Sequence, residues 1–412
     1  MHRTVIIFAS LVLTVSAAGP LAADDALSLV ERHLQAGTLS DGEKALETFL
    51  KQNSRDDQAR FALGAVQFVR SVEGLAQSLY RHGFMRQFAN LGGPLGIEVP
   101  VNPDPQRLSY DGARKIVQSF VSNLSKTEST LAKIESADVK LPLHFGLIRL
   151  DLDGDGKADE EETLWRLYAR VNRQAQVDAQ DAKAFVIAFD AADVAWLRGY
   201  CHLLAAFGEA LLAHDWRELF ERAGQVLFAD IETPYAFLAG PDKDAEPFSF
   251  AKIADLIAYI HLINFKVAEP KRMQAALAHL EAMVALSRRS WESIVKETDD
   301  DHEWIPSPKQ SGVIPNVRIT AEMVASWQSF LDEAAAILKG DKLVPFWRGD
   351  GELGLNLRNV FAEPKPFDLV LWVQGTGAAP FLEQGNLTDF GVWQRLLRVF
   401  QGEFIGFALW FN

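Results

Sequence analysis

Ala45-Leu46-Glu47-Thr48-Phe49-Leu50 is followed by Ser54, Ala59 and the pair Leu63-Gly64. Apolar residues at 45, 46, 49 and 50 recur with the period of one helix face. Small residues at 59 and 64 let neighbouring helices approach closely. Residues 24–90 therefore read as successive helices. Outward from there, the Gly/Pro-rich run Leu91 to Pro105 is a loop, and a helix is expected from about Ser109 to Ile134. Asp190 is placed to cap a helix carrying Val194, Leu197, Cys201, Leu204, Gly208 and Leu211. Two more helices fit 249–267 and 271–296. In the second, Met273, Leu277, Leu280, Val284 and Trp291 keep one face apolar. Glu297 to Asn316, with an acidic run, three prolines and a Gly, reads as a linker or long loop. Thr320 caps a helix that ends at Gly340. Beyond it, Lys342–Trp347 and Phe367–Val373 read as strands, and Val392, Leu396, Val399 and Phe400 form one helical core face. The terminal Trp410 and Phe411 are expected to pack inward. The expected fold is mainly α: helical hairpins and one acidic loop, with a small α+β C-terminal region. The expected divisions are 1–23, 24–90, 91–140, 141–296, 297–316 and 317–412.

The acidic loop is Asp151-Leu-Asp153-Gly-Asp155-Gly156-Lys157-Ala158-Asp159-Glu-Glu-Glu162. Acidic oxygens fall at positions 1, 3, 5, 9 and 12, with Gly at position 6. Ca²⁺ takes 6–8 oxygens at about 2.3–2.6 Å, and this spacing offers them from one short piece of chain. Asp151, Asp153 and Asp155 alternate along a tight curve, and Gly156 permits the sharp turn. Lys157 would contribute its backbone carbonyl, Asp159 would act directly or through a water, and Glu162 would close the shell as a bidentate carboxylate.

This loop resembles the EF-hand family at every ligand position. The resemblance covers the twelve loop residues and about one turn on either side. It implies an entering helix with Leu143, Leu147 and Leu150 on its apolar face, shortened by Pro142. It also implies an exit helix carrying Leu164, Leu167, Tyr168 and Val171. Position 8 is Ala158, where a branched apolar residue usually bridges to a partner loop. Asp242, Asp244 and Glu246 alternate in the same way, but Pro247 stands where Gly is needed. A solitary site with a structural Ca²⁺ is therefore expected. The stretch at 45–64 resembles a junction between tetratricopeptide-type helical hairpins over about one repeat, with Ser54 in place of the usual proline. That resemblance implies a concave surface for a protein or peptide partner.

His2 and Arg3 precede an apolar run from Val5 to Val15 and then small residues through Ala23. This reads as a secretory signal cleaved after Ala23. The run is too short for a permanent membrane span, and there is no twin-Arg pair. A single cysteine, Cys201, excludes an intrachain disulfide, which points to a bacterial periplasm or exterior. Cys201 itself reads as a small core residue. The formal charge of −14 argues against nucleic acid and anionic membranes as general partners.

Catalytic signatures are weak. Ser249-Phe-Ala-Lys252 has Ser-x-x-Lys spacing without its companion motifs, so Ser249 reads as a helix cap. Gly375-Thr-Gly377 reads as a turn, because Pro380 occupies the third glycine position of a dinucleotide-binding fingerprint. Asp389-Phe390-Gly391 lacks the other kinase elements. Asp299 to Glu303, including His302, reads as a solvated linker, and His261 as semi-buried. The expected function is that of an exported calcium-binding protein acting as a binding or scaffold protein. The competing class is an exported hydrolase with catalytic groups scattered in sequence; a third possibility is a calcium-dependent envelope stabiliser.

Overall fold

Residues 25–85, 99–166, 179–238, 250–313, 318–348 and 351–400 are described by a computed structural model. The expected leader 1–23, Ser249, the run Asp242–Pro247 and the terminal Trp410 and Phe411 lie outside them. The protein is mainly α-helical, with small antiparallel sheets. Among the described residues no helix is long and apolar enough to cross a membrane.

The first three helices form the N-terminal array: α1 (Ala26–Ala36), α2 (Leu39–Gln52) and α3 (Asp57–Arg81). Asp25 caps α1 by accepting the Ser28 N–H, and Gly37 ends it in a left-handed conformation at φ +68°. Asp56 caps α3 through the Ala59 N–H. Leu34, Leu39, Leu46, Phe61 and Val66 are buried together in this array. Helix α4 (Tyr110–Leu131), capped by Ser109, packs against α3 at Gly64, where a Cβ would overlap the Leu131 side chain. Glu43 is buried between α2, α3 and α4. Burial opposes its ionisation, yet hydrogen bonds from Lys126 (2.5 Å) and Arg70 hold its pKa below the ordinary value.

Helix α5 (Ala191–Leu212) begins at Asp190, which accepts the Ala192 and Asp193 N–H groups. It makes the most extensive helix–helix contact of the molecule with α7 (Pro270–Ile294). Between them in sequence lies α6 (Phe250–Leu262), which has no buried residue; Phe250 and Ile257 are 86% and 64% exposed. His261 is exposed there too, not semi-buried. The expected helix over 249–267 stops at Leu262, and the chain continues as a strand over Asn264–Val267. Helix α8 (Ala321–Lys339) runs from the Thr320 cap to Gly340 as expected. It shares a second core with α7, built on Trp291, Trp327 and Leu331. Helix α9 (Phe390–Val399) adds Leu396 to that core, and Phe400 just beyond it does the same. Cys201 is buried, as expected.

Strand β1 (Leu141–Leu143) pairs with β2 (Ile187–Phe189). Strands β3 (His214–Asp215), β4 (Asn264–Val267) and β7 (Phe367–Asp368) form one three-stranded sheet; β5 (Val344–Pro345), β6 (Leu353–Leu355) and β8 (Leu382–Gln384) form another. The strand expected over Phe367–Val373 is corrected after two residues. Asp368 accepts the Leu371 N–H and starts a helix at Leu369–Gln374, which Gly375 ends at φ +111°. A local cap overrides the β propensity of that apolar run. The segment 297–313 is a loop, but Trp304 and Ile305 are buried in the second core.

Candidate metal centre

No entering α-helix precedes the acidic loop. Leu141–Leu143 is strand, Phe145–Leu147 a single 3-10 turn, and Ile148 is extended. The reason lies in the burial period. Leu141 and Leu143, then Ile148, Leu150 and Leu152, are buried at alternate positions, the spacing of extended chain. The chain after the loop answers in kind. Leu150 N–H donates to Glu162 C=O at 3.2 Å and Leu164 N–H to Ile148 C=O at 2.9 Å, around an antiparallel bridge between Arg149 and Thr163. A short ladder, not a helix pair, pins the two ends of the loop. Glu160–Glu162 is a 3-10 turn; helix begins at 164–166, and Leu167, Tyr168 and Val171 of the expected exit helix lie outside the described residues.

Alternation continues into the loop and aims its carboxylates. Leu152 is fully buried in the core shared with α1–α3, so Asp151 and Asp153 on either side face the other way. Asp151 accepts the Gly154 N–H (2.8 Å) and the Gly156 N–H (3.1 Å). Asp153 accepts from Asp155 N–H (3.0 Å), Asp155 from Lys157 N–H (2.7 Å), and Asp159 from Glu161 N–H (2.8 Å). Gly154 and Gly156 take φ of +75° and +85°, a region that side-chain-bearing residues rarely enter. These turns curl the backbone so that one oxygen from each of Asp151, Asp153 and Asp155 lies within 4.8 Å of the others. Oxygens that share one Ca²⁺ stand no more than about 4.8 Å apart, twice the metal–oxygen distance, so the three carboxylates lie within reach of a single ion.

The remaining predicted ligands are held differently. The Asp159 and Glu162 carboxylates are not part of that triad. Glu162 is buried, and its two oxygens accept the Leu152 N–H (2.8 Å) and the Asp159 N–H (3.1 Å), forming a capping box with Asp159. Burial raises its pKa against those two bonds, and the charges of Asp153 and Asp159 add to the rise. The Lys157 side chain is exposed.

Three residues that the sequence reading missed lie on α3. Glu73 accepts the Asp151 N–H at 2.9 Å, and the Gln77 amide donates to the Asp151 C=O at 2.7 Å. Burial pushes the Glu73 carboxyl up to about 7, against the stabilising Asp151 N–H and with the charges of Asp151 and Glu162 adding to the shift. Tyr80, one turn further, has its phenol pKa raised by burial and then by Asp153 and Asp155. The negative charge of the loop is thus felt by both side chains on α3. Glu73 is only 8% exposed, but Arg70 and Gln77 flank it one turn away on the same face of α3, so no local apolar pattern marks it in the sequence. Position 8 of the loop also has its explanation. Ala158 packs against Gly37 at the end of α1, so that helix end takes the place of a partner loop.

Away from the loop, Asp190, Asp193, Glu297 and Glu303 crowd together at the start of α5. Burial, then the Asp190 charge, raises Asp193 well above the ordinary carboxylate range and Glu297 to about 7. In the neighbouring acidic run, Lys140 pairs with Asp299 at 2.6 Å and with Asp301 at 3.8 Å. A cavity of about 480 Å³ opens on α1 and α2, lined by Leu29, Lys44, Ala45, Thr48, Phe49 and Gln52. A second, of about 340 Å³, is lined by Arg114, Glu269 and Arg272 among others. Its guanidinium groups are already spent. Arg114 donates to Leu212 C=O, His214 C=O and Glu269, and Arg272 to Gln118, Glu209 and Glu269.

No protein-family model, curated protein or solved structure matches this chain.

Proposed function

We propose that this chain is an exported calcium-binding protein whose loop 151–162 holds one structural Ca²⁺. The observation that carries the reading is the convergence of Asp151, Asp153 and Asp155 to within 4.8 Å on a backbone bent by two positive-φ glycines. Lys157 would supply a backbone carbonyl, and Asp159 and Glu162, whose carboxylates stand outside the triad, would close on the ion once it is bound. Glu162 closes the loop by holding both Leu152 and Asp159, and in sequence it occupies position 12, the last ligand position of such a loop. Bringing these carboxylates together without a counter-ion costs repulsion; a divalent cation removes it. Export rests on the apolar N-terminal run and the single cysteine. Within this reading the α1–α3 array serves as a binding or scaffold surface for a protein or peptide partner, supported by the open groove along α2 where Ala45 and Phe49 meet Leu29 of α1.

Titration calorimetry of the chain lacking residues 1–23 tests the metal claim. One Ca²⁺ per chain is expected, and Glu162→Gln should weaken it by roughly tenfold or more, because a neutral amide cannot act as a bidentate anionic ligand. No heat with the unsubstituted chain, or two or more equal sites, would count against the proposal.

A further inference from the structure

We propose that the outward face of α6 is a self-association surface, covered by a second copy of this chain. The proposal does not depend on the metal reading. Among the described residues, α6 is turned inside out. Its apolar residues Phe250, Ile253, Leu256, Ile257 and Ile260 are 44% to 86% exposed, while Lys252 and Asp255 on the opposite side are half-buried. A surface helix ordinarily does the reverse. The helix packs on Arg217–Ala223 and on the helix Leu369–Gln374. A single exposed apolar residue needs no explanation, but a contiguous apolar face marks an interaction site.

The size of the face suits a pairing of whole proteins. Helix α6 alone exposes on the order of 500 Å² of apolar surface, at the upper end of what a typical monomer shows. The neighbouring sheet extends the face. Asn264 and Phe265 of β4 pair with Asp368 and Phe367 of β7, and Leu369 N–H donates to Ile263 C=O at 2.9 Å. These bonds set the helix Leu369–Gln374 beside the end of α6, and Val370, Leu371 and Val373 are exposed on it. With them the apolar area is on the order of 800 Å², the share that one partner gives to a standard-size interface. Pattern and charge select the partner. Phe250, Ile253, Ile257 and Ile260 follow at steps of three, four and three residues, the spacing of a seam that a matching helix fills. The positions beside the seam hold Ala254, Leu256, His261 and Ile263, with no carboxylate. On a chain of formal charge −14, a face without acids is one that two copies can share without repulsion. A lipid surface fits less well, because an interfacial helix carries a Lys/Arg-rich polar face and α6 has only Lys252. A two-fold axis across α6 sets Ile253 against Ile257 of the partner subunit, and Phe250 against Ile260 of the partner subunit.

Sedimentation equilibrium in chelator, at about 1 to 100 µM, tests this on the full chain and on the chain lacking residues 1–23. Both should show a monomer–dimer equilibrium with a dissociation constant on the order of micromolar or tighter. Ile253→Asp combined with Ile257→Asp places carboxylates in the seam of both copies and should weaken the dimer by roughly a hundredfold or more. Both residues are exposed, so helical circular dichroism should be retained. Ile257→Ser alone should weaken the dimer by roughly tenfold, and it decides the matter if the Asp pair loses its helical signal. Val295→Asp, just beyond the far end of α7, should leave the dimer intact. A chain that stays monomeric at the highest concentration overturns the proposal. So does a dimer that survives the seam substitutions or disappears when residues 1–23 are removed. A monomer that floats with phosphatidylcholine vesicles overturns it in favour of a lipid surface.

Discussion

Leu152 organises the acidic loop although it offers no oxygen to the triad. With its side chain fully buried, the period-two alternation of extended chain turns Asp151 and Asp153 outward. The carboxylates are therefore aimed by a hydrophobic contact as well as by their own turns. Buried carboxylates elsewhere carry a different consequence, seen at Glu297. Its folded pKa is raised from 4.5 to about 7 by burial and the Asp190 charge. The folded state then holds more protons than the unfolded state between those values, so this group's contribution falls as pH rises from about 4.5 to 7. Glu297→Gln removes the penalty and leaves an oxygen for the Gln310 amide. The variant should be more stable than the unsubstituted chain at pH 8, by about 1–3 kcal/mol. The difference should shrink towards zero near pH 4.5. Denaturant melts at the two pH values check it; an equal difference at both would exclude titration of this group as the cause.

Helix contacts in this protein depend on where side chains are missing. Gly208 of α5 faces Val121 of α4, and a Cβ there would overlap the Val121 methyl. A Cβ at Gly74 of α3 would instead point into open space, with no other atom within 4 Å. Replacing a helical glycine by alanine gains about 0.8–1 kcal/mol of intrinsic propensity. Overpacking costs about 1–3 kcal/mol where a stiff β-branched neighbour cannot turn away. Gly74→Ala should therefore stabilise the chain by about 0.5–1 kcal/mol, and Gly208→Ala should destabilise it by about 1 kcal/mol. Chemical denaturation of the two variants distinguishes these signs. The same element scale explains the entry to the acidic loop. Pro142 and the alternating burial of Leu141, Leu143, Ile148 and Leu150 favour strand and ladder over the helix that the loop resemblance implied. A helical reading of Leu143, Leu147 and Leu150 fitted the spacing of three residues, but the core selected a different set.

For the molecule as a whole, the acidic loop joins the N-terminal array to the chain that follows it. Ile148, Leu150 and Leu152 share one core with α1, α2 and α3, and Val194 and Leu197 extend that core to α5. Ion occupancy should consequently be felt by the cooperative unit and not only by twelve residues. At free Ca²⁺ about 100 times the dissociation constant, binding adds about 2.7 kcal/mol. Spread over a unit of this size, that is a rise in melting temperature of about 3 °C. Differential scanning calorimetry in excess Ca²⁺ and in chelator checks this; identical melting curves would remove the structural role.

The sequence by itself determined the helical class, the caps at Asp190, Thr320 and Gly340, and the spacing of the acidic loop. Asp190, Thr320 and Gly340 are local signals, decided within one helical turn by hydrogen bonds between neighbours. The spacing of Asp151, Asp153, Asp155 and Gly156 is equally local, because the chain can curl only one way that brings those oxygens together. Tertiary structure alone decided what lies beneath the loop. Glu73 and Gln77 come from more than seventy residues away. Gly37 meets Ala158 across the fold, and the ladder replaces the entering helix. These features depend on which apolar residues share a core, and burial is a property of the folded chain that no short window of sequence contains.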